Sequence, residues 1–451
     1  MVELVVDRLV AGGAGLAQLD GLKVFVPFAA PQEKVKARLV TRKRDYAVAR
    51  IEEILEPSPL RVKPPCPFYG ECGGCQLQHL SYEGQLVVKK LIVNDALQRL
   101  GRVFVPVNNI SSPSEPWRYR NKTQYPVGLD AGGKHKGTKS TSGERAPEFK
   151  VGFYRRESHN LLDIPSCLLH PEVFDRLRST AVEVFRAAGE TAYFERSHKG
   201  NVRHLVFRTS GQDVLAVVVT RTESLKQAVV EQLAVQPEVT GVVQSVNPDR
   251  TNRILGDRTK TLSGRGELEF GVLDKTFRVS ARSFFQVNSR QAEHLCRKVL
   301  RFAAPTGSET VLDLYSGVGM LSLVLAGFVA RVIGCEIDSA AIEDARYNAG
   351  LNTADNVQFT AGNVDDVIGS IDRADVVVLD PPRKGCSPET VKRIAGLKPS
   401  RVVYVSCNPA TLARDLRLFD ELGYETTDVE PVDMFPQTCH VEAVVRLCPR
   451  M

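Results

Sequence analysis

From about Thr310 to the C-terminus, short apolar runs alternate with helix-length segments. Val311-Leu312-Asp313-Leu314, Arg331 to Cys335, Val376 to Asp380 and Val402 to Ser406 are each strand-sized. Parallel strands buried on both faces read as unbroken apolar runs and need a crossover helix between them, so this pattern predicts a doubly wound parallel α/β domain. One loop constrains the chain further. Asp313-Leu-Tyr-Ser-Gly-Val-Gly319 ends a strand and opens a helix, and Glu336 stands at the tip of the next strand. Ligands of such sheets bind outside the carboxyl ends of the strands, where glycines admit a close ligand and a later acid accepts from ribose hydroxyls. A nucleoside cofactor is expected. A dinucleotide fingerprint would put a third glycine where Ser322 stands, so hydride chemistry is disfavoured.

At about 150 residues per domain, a chain of 451 residues predicts three domains. No apolar run reaches the roughly 18 residues that span a bilayer. The start Met1-Val2-Glu3-Leu4 lacks the basic and apolar segments of a secretion signal, so a cytoplasmic location is expected. There, ten cysteines point to metal or catalytic use rather than to a disulfide framework. The net charge of +6 is modest, but its basic excess lies before Lys275. A polyanion-binding surface is therefore expected in the N-terminal or central part.

Residues 1–57 alternate short apolar runs with turn signals at Gly12-Gly13, Asp20-Gly21 and Pro31, which predicts a small β-barrel. Seven basic residues between Lys34 and Arg50, against Asp45 alone, make that barrel a candidate nucleic-acid binder, with a solvated charged face as the alternative. Prolines crowd from Pro57 to Pro67 and mark a boundary. The apolar spacing Leu86, Lys90, Val93, Leu97, Leu100 predicts one helix ending at Gly101. Ala131 to Pro147, rich in Gly, Lys, Ser and Thr, predicts a basic loop. The expected division is 1–57, 58–270 and 271–451, the middle part being α+β.

Two further turns carry chemistry. Asp380-Pro-Pro-Arg383 follows a strand, and an acid before two prolines presents polar groups to a planar base on a rigid backbone. Val405-Ser-Cys-Asn-Pro409 ends the next strand, which places Cys407 on the same sheet edge as the cofactor, before a helix start whose dipoles can stabilise a thiolate. A thiolate serves methyl transfer to carbon 5 of uracil. Addition at carbon 6 creates an enolate nucleophilic enough to take a methyl from a sulfonium, and a base must then remove the carbon 5 proton. Glu442 is the candidate base. Elsewhere, Cys66, Cys72 and Cys75 cluster among Gly and Pro, and with the distant Cys167 they could hold zinc or a cubane cluster.

At these residues the chain resembles the RNA uridine-5-methyltransferases. The matching segments are Ser283-Phe-Phe-Gln-Val-Asn288, Asp313 to Gly319, Glu336-Ile-Asp338, Asp380 to Arg383, Ser406-Cys-Asn-Pro409, and Asp433-Met-Phe-Pro436 through His440-Val-Glu442. The resemblance implies an N-terminal OB-like (TRAM) barrel, a central cluster-bearing domain and a C-terminal Rossmann-like domain that uses S-adenosylmethionine. It implies Cys407 as nucleophile and Glu442 as base, with Gln286, Tyr315, Glu336, Asn363 and Asp380 at the cofactor. It also implies that Cys66, Cys72, Cys75 and Cys167 hold a [4Fe-4S] cluster rather than zinc. Arg120-Asn121-Lys122 is a further matching motif, of no evident role. Two positions depart from the family: Ser316 stands where cysteine is frequent, and Met320 where a polar residue is common. RNA is the expected partner, ribosomal RNA first and transfer RNA second, with no membrane and no obligate protein partner. The rival readings are a nucleobase amino-methyltransferase acting through Asp380-Pro-Pro, and an inactive RNA-binding factor.

Overall fold

The computed structural model describes residues 1–129 and 149–450. The expected basic loop, Ala131 to Pro147, lies outside them. Three sheets and a hairpin carry the chain: six strands over residues 2–56, seven over 122–264, two over 267–280 and seven over 310–449.

In the first sheet, Lys34–Arg42 and Tyr46–Glu56 pair antiparallel with three register shifts. Such irregularities bend a strand, which lets a six-stranded sheet curl around a small core. Strict alternation puts Val35 and Ala37 inside with Leu4, Val6, Val24 and Val26, and turns Lys36 and Arg38 outward. Of the seven basic residues, Lys34 pairs with Glu3, and Arg38 and Arg50 share Glu52. Among the described residues Lys36, Arg42, Lys43 and Arg44 are in no ion pair, so about half of the basic face is uncommitted.

The proline-rich stretch makes only isolated bridges, Arg61 with Leu80 and Cys72 with Arg155. Ser81 then caps a helix over Tyr82–Ala96 by accepting from Gly84 N, and the helix widens into a π-turn over Leu97–Gly101. Its buried face differs from the apolar spacing expected. Gln85, Val88, Lys89, Ile92 and Val93 face inward, while Leu100 is exposed, because a buried carboxylate partners Lys89. Gly101 sits where a Cβ would stand 2.9 Å from the carbonyl of Ala413, so the absent side chain lets this turn close on the helix Pro409–Glu421.

The last sheet runs, edge to edge, Val357–Ala361, Arg331–Glu336, Thr310–Leu314, Val376–Leu379, Arg401–Ser406, Glu442–Pro449 and Tyr424–Val432. Its first five strands are parallel, and Glu442–Pro449 runs against both neighbours. The order reverses at Thr310–Leu314, and ligands bind at such a switch point. Both faces are covered. Val311, Val376, Val378 and Val403 pack with the helix Ser289–Ala303, while Leu312, Val377, Leu379 and Tyr404 pack with the helix Pro409–Glu421. The first of these cores also takes in Val206, Leu215 and Val217 of the central sheet, so one apolar interior joins the two sheets. The expected fold class holds: a Rossmann-like α/β sheet, an α+β centre and a β-rich N-terminus.

Candidate active site

Sheet register assembles the site. Ser406 pairs with Ala443 across antiparallel strands, so the next positions outward, Cys407 and Glu442, face each other at the sheet edge. Leu379 pairs with Tyr404 and with Leu314, which brings Asp380 to the same edge beside Tyr315. Asp380 N donates to Leu314 O at 3.3 Å. Asn408 locks the two chemical turns together: its side chain caps the helix Pro409–Glu421 and donates to Arg383 O at 2.9 Å.

The loop after Thr310–Leu314 is wound tightly. Tyr315, Gly317 and Gly319 have φ of 65°, 55° and 85°. A Cβ on Gly319 would meet Phe359 at 2.6 Å, so glycine is required there by both conformation and space. Tyr315 carries its positive φ without that freedom, a strain that clusters at ligand sites. Glu336 accepts from Gly317 N at 3.2 Å and from Ile337 N at 2.7 Å, which fixes its carboxylate at the loop mouth. Asn363 caps the helix Val364–Gly369 by accepting from Asp365 N. Gln286 is buried, and its carbonyl accepts from the Asn121 side chain at 2.9 Å.

Three carboxyl groups converge here. Burial pushes Asp313 up to about 7, Ser322 opposing by its hydrogen bond at 2.5 Å. Asp380 is raised by burial and by Asp313, and Glu442 by burial and by Asp380. Cys407 is pushed up to about 11, first by burial and then by Glu442 and Asp380, with Arg383 pulling the other way. This differs from the expectation of a dipole-stabilised thiolate: Cys407 precedes the helix cap, and burial first, then two carboxyl groups, raise it there. Arg383 also donates to His440 at 2.7 Å, and burial with that cation keeps the imidazole neutral, at about 4. Asp313 Oδ1 and Ser316 Oγ are buried without a partner, acceptor positions that suit a polar cofactor at this mouth.

The segment leading to Glu442 is held from outside the sheet. Lys89 donates to Asp433 at 2.5 Å and to Phe435 O at 2.9 Å, and Tyr82 donates to the other oxygen of Asp433. Both Lys89 and Asp433 are fully buried. Gln437, at φ 69°, exchanges two hydrogen bonds with Gln85, and its carbonyl accepts from Gln76 N and Leu77 N beside Cys75. Sequence reasoning missed Lys89, Tyr82, Gln85 and Gln437, and gave Asp433 no role beyond its place in a matching segment. Asn121, whose motif had no evident role, proves to be a clamp. Its side chain donates to Gln286 O and to Ser289 Oγ, and its amide donates to Val287 O.

Cys66, Cys72, Cys75 and Cys167 line one largely apolar cavity of about 120 Å³, with Arg120 in its wall. Burial pushes Cys75 up to about 12 and Cys167 up to about 11. Arg120 Nε is buried beside them without a hydrogen-bond partner. Among the described residues, no group of three or more His, Cys, Asp and Glu is placed to hold a metal ion. No helix among them is long and apolar enough to cross a membrane.

A family model described as tRNA (Uracil-5-)-methyltransferase matches residues 265–450. An uncharacterized RNA methyltransferase of Halalkalibacterium halodurans is 44% identical over 99% of this chain and 96% of its own length. Another, from Listeria innocua, is 43% identical over 99% and 97%. Among solved structures, a Pyrococcus abyssi tRNA (uracil-54, C5)-methyltransferase in complex with S-adenosyl-L-homocysteine superposes with a TM-score of 0.77 at 29% identity, covering 99% of this chain and 100% of that one. With its sheet order, its glycine loop and its Cys407–Glu442 edge, the chain belongs to the RNA (uracil-5-)-methyltransferase family, enzymes that use S-adenosylmethionine.

Proposed function

We propose that this enzyme methylates carbon 5 of a uridine in RNA through a covalent adduct on Cys407. The observation that carries the reading is the register that sets Cys407 opposite Glu442 on the cofactor edge of the sheet. S-adenosylmethionine supplies an electrophilic methyl on a sulfonium. Cys407, once its proton has left to solvent, forms a bond from Sγ to carbon 6, and the carbon 5–carbon 6 π electrons become an enolate. Carbon 5 takes the methyl, leaving a neutral thioether. Glu442 accepts the carbon 5 proton, the carbon 6–sulfur bond breaks, and the thiolate returns. A buried carboxyl whose pKa is raised is a better base than an exposed one, which suits Glu442 to a C–H proton. Arg383 and a cationic cofactor both favour the thiolate that burial opposes. Both faces of the uracil must be reached, so the nucleotide is flipped out of its stack.

In this reading Gln286, Tyr315, Glu336 and Asp380 border the cofactor, and Asn363 shapes the loop beside it. The chain divides into an RNA-binding barrel (1–57), a cluster-bearing centre (58–270) and the methyltransferase part (271–451). A nucleobase amino-methyltransferase would need no thiol, and the Cys407–Glu442 edge argues against that rival. Ribosomal RNA is the first substrate proposed. The likeness to a tRNA (uracil-54, C5)-methyltransferase favours transfer RNA as the second. Labelled methyl transfer into unmodified large-subunit ribosomal RNA and tRNA transcripts separates the two, and no incorporation into either would overturn both.

The carboxyl cluster gives a pH test. Folded Asp313 and Asp380 hold, up to about 7, protons that the unfolded chain has already lost, so the cofactor-free protein is expected to lose stability as pH rises through about 7. Ionisation also makes the site attract a sulfonium. The affinity ratio of S-adenosylmethionine to S-adenosylhomocysteine is therefore expected to rise between about pH 6 and 8 in calorimetry. A flat ratio would place the carboxyl groups away from the sulfur.

The same reading assigns a [4Fe-4S] cluster to Cys66, Cys72, Cys75 and Cys167. A tetrahedral zinc with Zn–S of about 2.3 Å needs sulfurs about 3.8 Å apart. A cubane takes each thiolate on a different iron and needs a wider ring round one cavity, with a cation such as Arg120 to offset the thiolates. Protein purified without oxygen is expected to contain iron and acid-labile sulfide, and zinc alone would contradict the assignment.

A further inference from the structure

A cavity of about 990 Å³ forms a groove in the central sheet region rather than at the catalytic edge. We propose that it holds an unstacked nucleotide of the RNA substrate, a second contact apart from the target uridine. This rests on the RNA-methylating activity proposed above, and it adds a site which that activity does not itself require.

The walls combine the two features that bind single-stranded RNA, flat aromatic faces and unspent positive charge. Tyr154, Tyr193 and Phe194 line it, and four arginines face one carboxylate, Glu195. That carboxylate already pairs with His159 at 3.3 Å. Arg203 is buried and committed: it lies 4.5 Å over the Tyr193 ring and donates to the carbonyls of Asn247 and Asp249. Arg196 and Arg250 are exposed and, among the described residues, in no ion pair, so they are free for phosphates. Tyr154 is 39% exposed, with the His159 ring tilted beside it at 5.7 Å between centroids, so part of its surface is available to a base. His204, half-buried, also lines the groove, with Nδ1 lacking any partner, and burial keeps it neutral.

Position also favours RNA over a free nucleotide. Tyr154 O accepts from Gly73 N in the cysteine loop at 3.0 Å, so one end of the groove abuts that loop. Arg253, also in the groove wall, pairs with Asp257 at 2.5 Å, a carboxylate that Arg282 also meets. The groove thus adjoins the cysteine loop, a longer surface than a free nucleotide needs and one that an extended strand could follow.

The test uses full-length protein and a short fluorescein-labelled uridine-rich single-stranded RNA, read by anisotropy over a range of salt. Tyr154→Ala is expected to weaken binding about tenfold, within the range for one lost base–aromatic stack. Arg196→Ala with Arg250→Ala is expected to weaken it and to lower the salt slope by about 1.4, the value for two phosphate contacts to a single strand. S-adenosylhomocysteine binding, measured by calorimetry, is expected to be unchanged in both variants, which shows that the fold is intact. Ultraviolet cross-linking to the same RNA is expected to leave nucleotide adducts on peptides carrying Tyr154 or Tyr193-Phe194. Wild-type affinity and slope in both variants, with adducts only elsewhere, would overturn the groove while leaving the methylation reading in place. Competition of the RNA signal by uridine monophosphate alone, with no salt dependence, would make this a free-nucleotide site and also overturn it. A wild-type protein that binds no RNA at all would instead remove the methylation reading together with the groove.

Discussion

Glu442→Gln is expected to stop the reaction halfway, at a covalent protein–RNA adduct that survives denaturation. Glutamine keeps the shape of the side chain but cannot accept the carbon 5 proton, so methyl transfer proceeds and elimination does not. The substitution also removes one of the two carboxyl groups that push up the thiol of Cys407. Attack is therefore not slowed by loss of the thiolate, and Cys407 is expected to react faster with iodoacetamide at pH 8 than in the wild type. A denaturing gel with labelled RNA reads the adduct, and Cys407→Ala abolishes it. Turnover of Glu442→Gln at the wild-type rate would remove Glu442 from the mechanism.

The second large effect is structural. Lys89 and Asp433 are both fully buried, 344 residues apart in sequence, and Tyr82 shares the carboxylate. Burial works against the Lys89 ammonium, and Asp433 holds its charge in place. Lys89→Met leaves that carboxylate buried with only the Tyr82 hydroxyl, which is expected to cost about 3–5 kcal/mol. Lys89 also holds Phe435 O, so the segment leading to Glu442 loosens with it and kcat falls alongside the melting temperature. Lys89→Met with Asp433→Leu replaces the pair by apolar groups and is expected to recover most of the stability. A single variant that melts like wild type would show that the pair is not the clamp described.

How much of this was legible in the sequence depended on where each residue's partner lies. Asp313, Glu336, Asp380 and Cys407 stand at the ends of apolar runs, and in a parallel sheet all such ends share one edge, so local pattern was enough to group them. The environment of Cys407 was not legible in the same way. A helix start reads as a thiolate-stabilising position, and neither the burial that raises the thiol nor the carboxyl group that the register of Glu442–Pro449 brings beside it shows in local sequence. The face of the helix Tyr82–Ala96 was misread for a related reason: a lysine reads as solvent-facing until a carboxylate from a distant segment is known to meet it. Asn121 has its partners in Gln286 and Ser289, 165 and 168 residues on, and no periodicity carries that information. The groove was invisible because its walls come from separate strands and loops across the central sheet. The stretch Ala131 to Pro147 was legible as composition alone.

The central claim is tested most directly by nucleoside mass spectrometry of unmodified RNA incubated with labelled S-adenosylmethionine and either wild type or Cys407→Ala. Labelled 5-methyluridine from the wild type and none from the variant is the result predicted. Label in any other nucleoside, or 5-methyluridine formed equally well without the thiol, would contradict the account.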